Sequence, residues 1–121
     1  MNLNSILIGS EDPKRLREYY SKVFGATAFE DGDFAGWQIG NGFVTVGSHD
    51  QIKGQNRDPG RVIWNIESSD VKADFEKFKA NGATVVQEPY KPQGSTEMPG
   101  EMWIATFSDP DNNYFQLMSS M

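Results

Sequence analysis

One ordered pattern occurs twice in this chain, and it limits the possible folds more than any other feature. Residues 3–9 (LNSILIG) read as a strand. Asp12-Pro13 follows, an N-cap residue with proline at the first helical position. Leu16, Tyr20, Val23 and Phe24 then fall on one face of a helix, and Gly25 stops it as a glycine past the last turn does. The second half repeats the order. Residues 61–67 read as a strand, Asp70 as an N-cap, Val71, Phe75 and Phe78 as the apolar stripe, and Gly82 as the stop. Gly25-Ala26-Thr27 returns as Gly82-Ala83-Thr84, each time leading into a further strand. Strand, cap, stripe, glycine and strand in one order, twice, indicate a duplicated unit.

Each half closes with a hairpin. Residues 34–40 run into Asn41-Gly42 and on to 43–48, and Asn-Gly between apolar runs is a strong short-range hairpin signal. Residues 101–108 pass through Asp109-Pro110-Asp111-Asn112-Asn113 into 114–118, where proline and the Asx side chains each have a turn mechanism. The expectation is an α+β chain with two β-α-β-β-β modules in a single domain, 1–121, made of repeats 1–50 and 60–121. The polar segment 49–60 joins them, because neither half alone buries both faces of its sheet. Segment 89–100, with three prolines and two glycines, is expected to be an irregular loop of the length that often carries function.

Charge and cysteine content narrow the partners. A net charge of −6 with no dense basic patch speaks against nucleic acid. The absence of cysteine removes disulfides, zinc-thiolate sites, iron-sulfur clusters and a thiol nucleophile. The opening residues lack a signal-peptide pattern and a membrane-length apolar run, so a cytoplasmic location without membrane contact is expected. No phosphate-binding glycine loop, zinc-protease helix or serine-hydrolase elbow is present. Glu30, Asp31 and Asp33 cluster where a solvated hairpin turn is expected.

The run from Phe107 to Leu117 (FSDPDNNYFQL) resembles the closing motif of the vicinal oxygen chelate superfamily, which includes glyoxalases, bleomycin-resistance proteins and dioxygenases. Residues 82–89 (GATVVQEP), the opening from Ser5 to Asp12, Tyr19-Tyr20 and Phe24-Gly25 are also similar to it. Asn112 stands where the motif usually has glycine, and asparagine tolerates the left-handed conformation that the turn needs. The resemblance implies curled sheets, a concave cleft and pairing of small members as homodimers. It also implies metal-ligand positions, which fall on Ser5, Thr45, Gln116 and either Arg61 or Ile63. None is a strong ligand, so neither a metal nor another cofactor is expected at this position.

Strand alternation assigns a cleft lining. Ser5 and Leu7 on the first strand, Gln38, Phe43 and Thr45 on the first hairpin, and Tyr114 and Gln116 on the last strand are expected to face inward, with Gln38 across from Thr45. Trp103 is expected to supply an aromatic wall, with Met98 and Met102 nearby. Such a lining suits a small organic ligand, aromatic or antibiotic-like, held without catalysis. The alternative is a metal-dependent lyase, isomerase or dioxygenase using a displaced site, for which His49 with Glu97 or Glu101 are the candidate groups. Glu101, if buried, also has the makings of a general base. His49 is otherwise a solvated strand-end residue.

Overall fold

The computed structural model describes residues 1–92 and 102–120. Most of the expected loop 89–100, together with Glu97, Met98 and Glu101, lies outside these residues. The first module runs β1 (Ser5–Ser10), α1 (Pro13–Phe24), β2 (Phe29–Asp31), β3 (Phe34–Ile39) and β4 (Gly42–Ser48). The second runs β5 (Ile63–Ser68), α2 (Val71–Ala80), β6 (Thr84–Tyr90), β7 (Ile104–Ser108) and β8 (Tyr114–Ser119). Each forms a four-stranded mixed sheet, ordered β1-β4-β3-β2 and β5-β8-β7-β6, with β1 parallel to β4 and β5 parallel to β8. The fold is therefore the duplicated α+β arrangement that the repeat predicts.

The helix boundaries follow the local signals. Asp12 accepts from the Arg15 amide at 3.3 Å and Asp70 from the Ala73 amide at 3.1 Å, so both helices carry the side-chain cap that their sequences announce. Gly25 at φ +95° and Gly82 at φ +105° turn the chain out of each helix in a region that costs a side chain energy. Ser10 and Ser68 extend the duplication: each hydroxyl accepts from the amide of the capping aspartate two residues on.

One register differs from expectation. The β3–β4 turn centres on Gly40-Asn41, not Asn41-Gly42, so Ile39 pairs with Gly42, Gln38 with Phe43, and Gly36 with Thr45. Gly40, at φ +58°, occupies the first central position, where a two-residue turn of this kind needs glycine. The slip is two residues, so Gln38 keeps its face but loses Thr45 as its partner. The second module's first strand starts at Ile63, because Pro59–Arg61 form a short 3-10 turn before it.

The two modules share one core. Tyr20 on α1 meets Trp37 of the first sheet at 5.8 Å between ring centroids and Phe115 of the second at 5.7 Å. Phe24 packs on Phe78 of α2 and on Trp64. The Tyr19 hydroxyl donates to the Ser108 carbonyl at 2.8 Å and accepts from the Thr84 amide at 3.1 Å. α1 therefore lies between the two sheets. Each sheet turns its helix-bearing face to this common core, and the two helix-free faces point away from it. Among the described residues no helix is long and apolar enough to cross a membrane.

Candidate functional site

On the helix-free face of the first sheet, strand register sets out three rows. Ser5, Phe43 and Gln38 form one, and Leu7, Thr45, Gly36 and Phe29 the next. Gly9, Gly47 and Phe34 form the third. The two central glycines have a steric reason. A Cβ at Gly36 would collide with the rings of Phe29 and Phe43, and one at Gly47 with the ring of Phe34. Three phenyl rings thus lie over bare backbone, with Phe29 and Phe43 stacked at 5.6 Å. They remain accessible: Phe29 is 40% exposed, Phe34 38% and Leu7 58%. Sequence reasoning missed Phe29 and Phe34. The available signal was the spacing Phe34-x-Gly36 facing Thr45-x-Gly47, which places glycines under aromatics.

The helix-free face of the second sheet has a different chemistry. Asn65 pairs with Gln116, Gln116 with Thr106, and Thr106 with Gln87 beyond a bulge in β6. The Gln116 amide donates to the Thr106 hydroxyl at 2.9 Å. The rows on either side carry Ile63, Tyr114 and Ser108, and Glu67, Met118 and Ile104.

Two grooves lie where the edges of β1 and β5 approach each other. One, of about 480 Å³, takes in Leu7, Gly9, Asn56, Val62, Trp64 and Tyr114. The other, of about 710 Å³, takes in Leu3, Ser5, Phe43, Ile63, Asn65 and Glu67. Leu7 and Tyr114 therefore meet in the first, and Ser5 and Phe43 in the second. Gln38, Thr45, Gln116 and Trp103 border neither groove. Thr45 and Gln116, expected as partners across one cleft, occupy equivalent positions in the two sheets and share neither groove.

Trp103 requires a correction. Its backbone pairs with Ser119, one residue out of step with the Ile104–Met118 pair. That parity places the indole on the α2 side of the sheet, where it packs against the core with the Lys72 ammonium 4.0 Å above its ring. Trp37 is buried on the corresponding side of the first sheet, its indole donating to the Gly25 carbonyl at 3.1 Å. Trp64 stacks on Phe115 and lines both grooves. Phenylalanines, and no tryptophan, make the aromatic wall of the first face.

The closing turn is a structural hub. The Asp109 carboxylate accepts from the Tyr20 hydroxyl at 2.7 Å, the Asp111 amide at 2.8 Å and the Asn113 amide at 3.0 Å. Burial pushes its pKa up against the pull of these donors. Burial, then the nearby Asp109 charge, raises Tyr20, and burial lifts Tyr19 to about 12. Asp111 accepts from Ser10 and is paired with Arg15, whose pKa its hydrogen bond and charge raise. Asn56 of the linker bonds Asp111, Asn112 and Asn113, and Gln55 bonds Pro110. The motif thus fastens the first module and the linker to the second.

A family model for the glyoxalase-like domain matches residues 5–118. The chain belongs to this family. Solved structures agree on the fold. A glyoxalase-related enzyme from Fulvimarina pelagi superposes with a TM-score of 0.73 at 15% identity, over 99% of this chain and 88% of that one. A glyoxalase/bleomycin resistance protein/dioxygenase family enzyme from Burkholderia phytofirmans PsJN gives 0.72 at 18%, over 100% of both. TioX from Micromonospora sp. ML1 gives 0.70 at 19%, again over 100% of both. No curated protein matches the sequence. The chain is a member of the vicinal oxygen chelate superfamily, and likenesses at this identity speak for its fold alone.

Within this glyoxalase-like chain, the positions where the superfamily resemblance puts ligands can be tested for fit. Register resolves the fourth as Ile63, since Arg61 precedes the strand. Ser5, Thr45, Ile63 and Gln116 bring no negative charge and no imidazole, and the Gln116 amide is turned to Thr106. These residues do not fit a divalent transition ion, whose lost hydration they could not replace. Among the described residues no group of three or more His, Asp or Glu is placed to hold one. His49 packs over Gly9, and its Nδ1 accepts from the Gln51 amide at 3.2 Å and lies 3.6 Å from Asp50.

Proposed function

We propose that this glyoxalase-like protein binds and sequesters a small, uncharged aromatic molecule, aromatic metabolite or antibiotic-like, without a metal. The observation that carries the reading is the triad Phe29, Phe34 and Phe43 lying over Gly36 and Gly47, partly open to solvent. Stacking on such rings needs no cofactor, and sequestration needs only affinity. Ser5, Leu7, Gln38, Thr45, Tyr114 and Gln116 complete the neutral lining on the two faces.

In this reading the working unit is a homodimer in the cytoplasm. The two helix-free faces turn away from the common core, so one cleft lined by both takes a second copy. Leu3, Leu7 and Val62 are exposed along the β1 and β5 edges where such a copy would seat.

Thermal-shift screening with flat aromatic compounds tests the binding reading. The expected result is stabilisation by some members, reduced about tenfold in affinity by Phe34→Ala, a loss in the range of one aromatic contact. Silence across a broad set, or full binding by the triple alanine variant at positions 29, 34 and 43, would sink it. Light scattering addresses assembly: a dimer is expected for the wild type and a monomer for Leu7→Glu.

A further inference from the structure

We infer that the second sheet's helix-free face recognises an amide edge, so that the ligand is a planar, uncharged molecule carrying an N–H donor beside a carbonyl acceptor, as in a lactam or cyclic imide. The inference rests on the small-molecule reading above and adds the ligand's chemical class.

Register aligns Asn65, Gln116 and Thr106 on three adjacent strands, a row spanning roughly 10 Å at ordinary strand spacing. The row descends from solvent to interior. Asn65 is exposed, Gln116 is partly buried, and Thr106 is only 5% exposed. Gln116 donates one of its two N–H groups to Thr106, which orients the carboxamide and leaves its carbonyl oxygen available as an acceptor. The Asn65 carboxamide, next in the row, offers both a donor and an acceptor. A carbonyl acceptor held beside a carboxamide donor is the complement of a lactam edge.

Charge supports the same occupant. Among the described residues, the charged side chain in register on this part of the face is Glu67, at its exposed margin. Among the described residues of this row an anionic ligand finds no cation, and a cation finds only a solvated carboxylate. A neutral amide exchanges its water contacts for fixed ones, and an analogue lacking the donor leaves the Gln116 oxygen unpaired. In the dimer proposed above, the phenyl face of a second copy's first sheet supplies the complementary stacking surface. Nothing in this chemistry needs a metal or a proton transfer.

The test uses three probes of one shape: 2-quinolinone, N-methyl-2-quinolinone and quinoline-2-carboxylate, titrated calorimetrically into the full-length protein. Expected for the wild type is 2-quinolinone binding about fivefold to tenfold more tightly than the N-methyl compound, as one hydrogen bond provides, and no measurable binding of the carboxylate. Gln116→Leu, which removes the acceptor for the ligand's N–H, should bring the ratio of the first two towards one with the loss falling on 2-quinolinone, whereas Asn65→Leu, which removes the donor to the carbonyl that both neutral probes carry, should weaken both about fivefold and leave their ratio unchanged. Asn65 is exposed, so its variant keeps the test alive if the Gln116 variant melts early. Equal affinities in the wild type, a preference that survives Gln116→Leu through steric exclusion of the methyl group, or neutral-probe affinities unchanged by Asn65→Leu overturn the amide edge while the stacking reading stands. Failure of both neutral probes to bind at millimolar concentration overturns both.

Discussion

Asp109 sits in the turn that closes the second sheet, buried, with a hydroxyl and two backbone amides donating to it. Asp109→Ala leaves these donors without an acceptor and is expected to cost about 3 kcal/mol or more, read by urea unfolding. The pH dependence has a definite sign. Burial raises the folded-state pKa above the ordinary 3.8, so the folded protein binds more protons than the unfolded chain between the two values. The stability that Asp109 supplies through this difference is full below 3.8 and falls as pH rises through the folded-state value. The wild type's advantage over Asp109→Ala should therefore shrink from about pH 4 upward and then level off. An advantage that grows over that range would contradict the assignment. The turn itself is readable from Asp-Pro-Asp-Asn-Asn. Its role as the fastening point for Ser10, Arg15, Tyr20 and Asn56 is not, because those partners come from distant parts of the chain.

At the scale of single elements, local chemistry set most boundaries. Both helix starts and both glycine stops stand where propensity and capping put them. The misjudged β3–β4 turn shows the limit. Gly40-Asn41 and Asn41-Gly42 both suit a two-residue turn, and cross-strand pairing decides between them. The same pairing set Phe29 and Phe43 over Gly36. Gly36→Ala should push these rings aside at a stability cost of about 1 kcal/mol, because the exposed Phe29 can swing out. The aromatic ligand's affinity should fall at least about fivefold, the size of a lost stacking contact. Differential scanning fluorimetry beside a binding titration checks this, and unchanged binding would show that the rings are only a cover for the backbone. Trp103 failed as a cleft residue for a related reason. Its strand begins after residues that no local pattern phases, and one residue of parity moves an indole across the sheet.

For the whole molecule, the controlling contact is α1 held between two sheets. Tyr20→Ala removes a ring that touches Trp37, Trp64 and Phe115 at once. The expected loss is about 3–5 kcal/mol. Tryptophan fluorescence and far-UV circular dichroism should still report one coincident transition, because both sheets lean on that residue. Separate transitions would mean that the modules are stable independently. The shared core also fixes where function can sit: it consumes the helix-bearing faces and leaves the phenyl face on one sheet and the carboxamide row on the other.

Periodicity, caps and turn residues act over a few positions, so the chain's own order determined the duplicated module, both helices and the two-residue alternation within each strand, though not the phase at Trp103. Those same local rules carry no information about how two modules stand to one another. Packing decided that, by burying Tyr20 and Phe24 against the second sheet, and it parted Thr45 from Gln116. It also exposed the two surfaces that a ligand and a second copy would share.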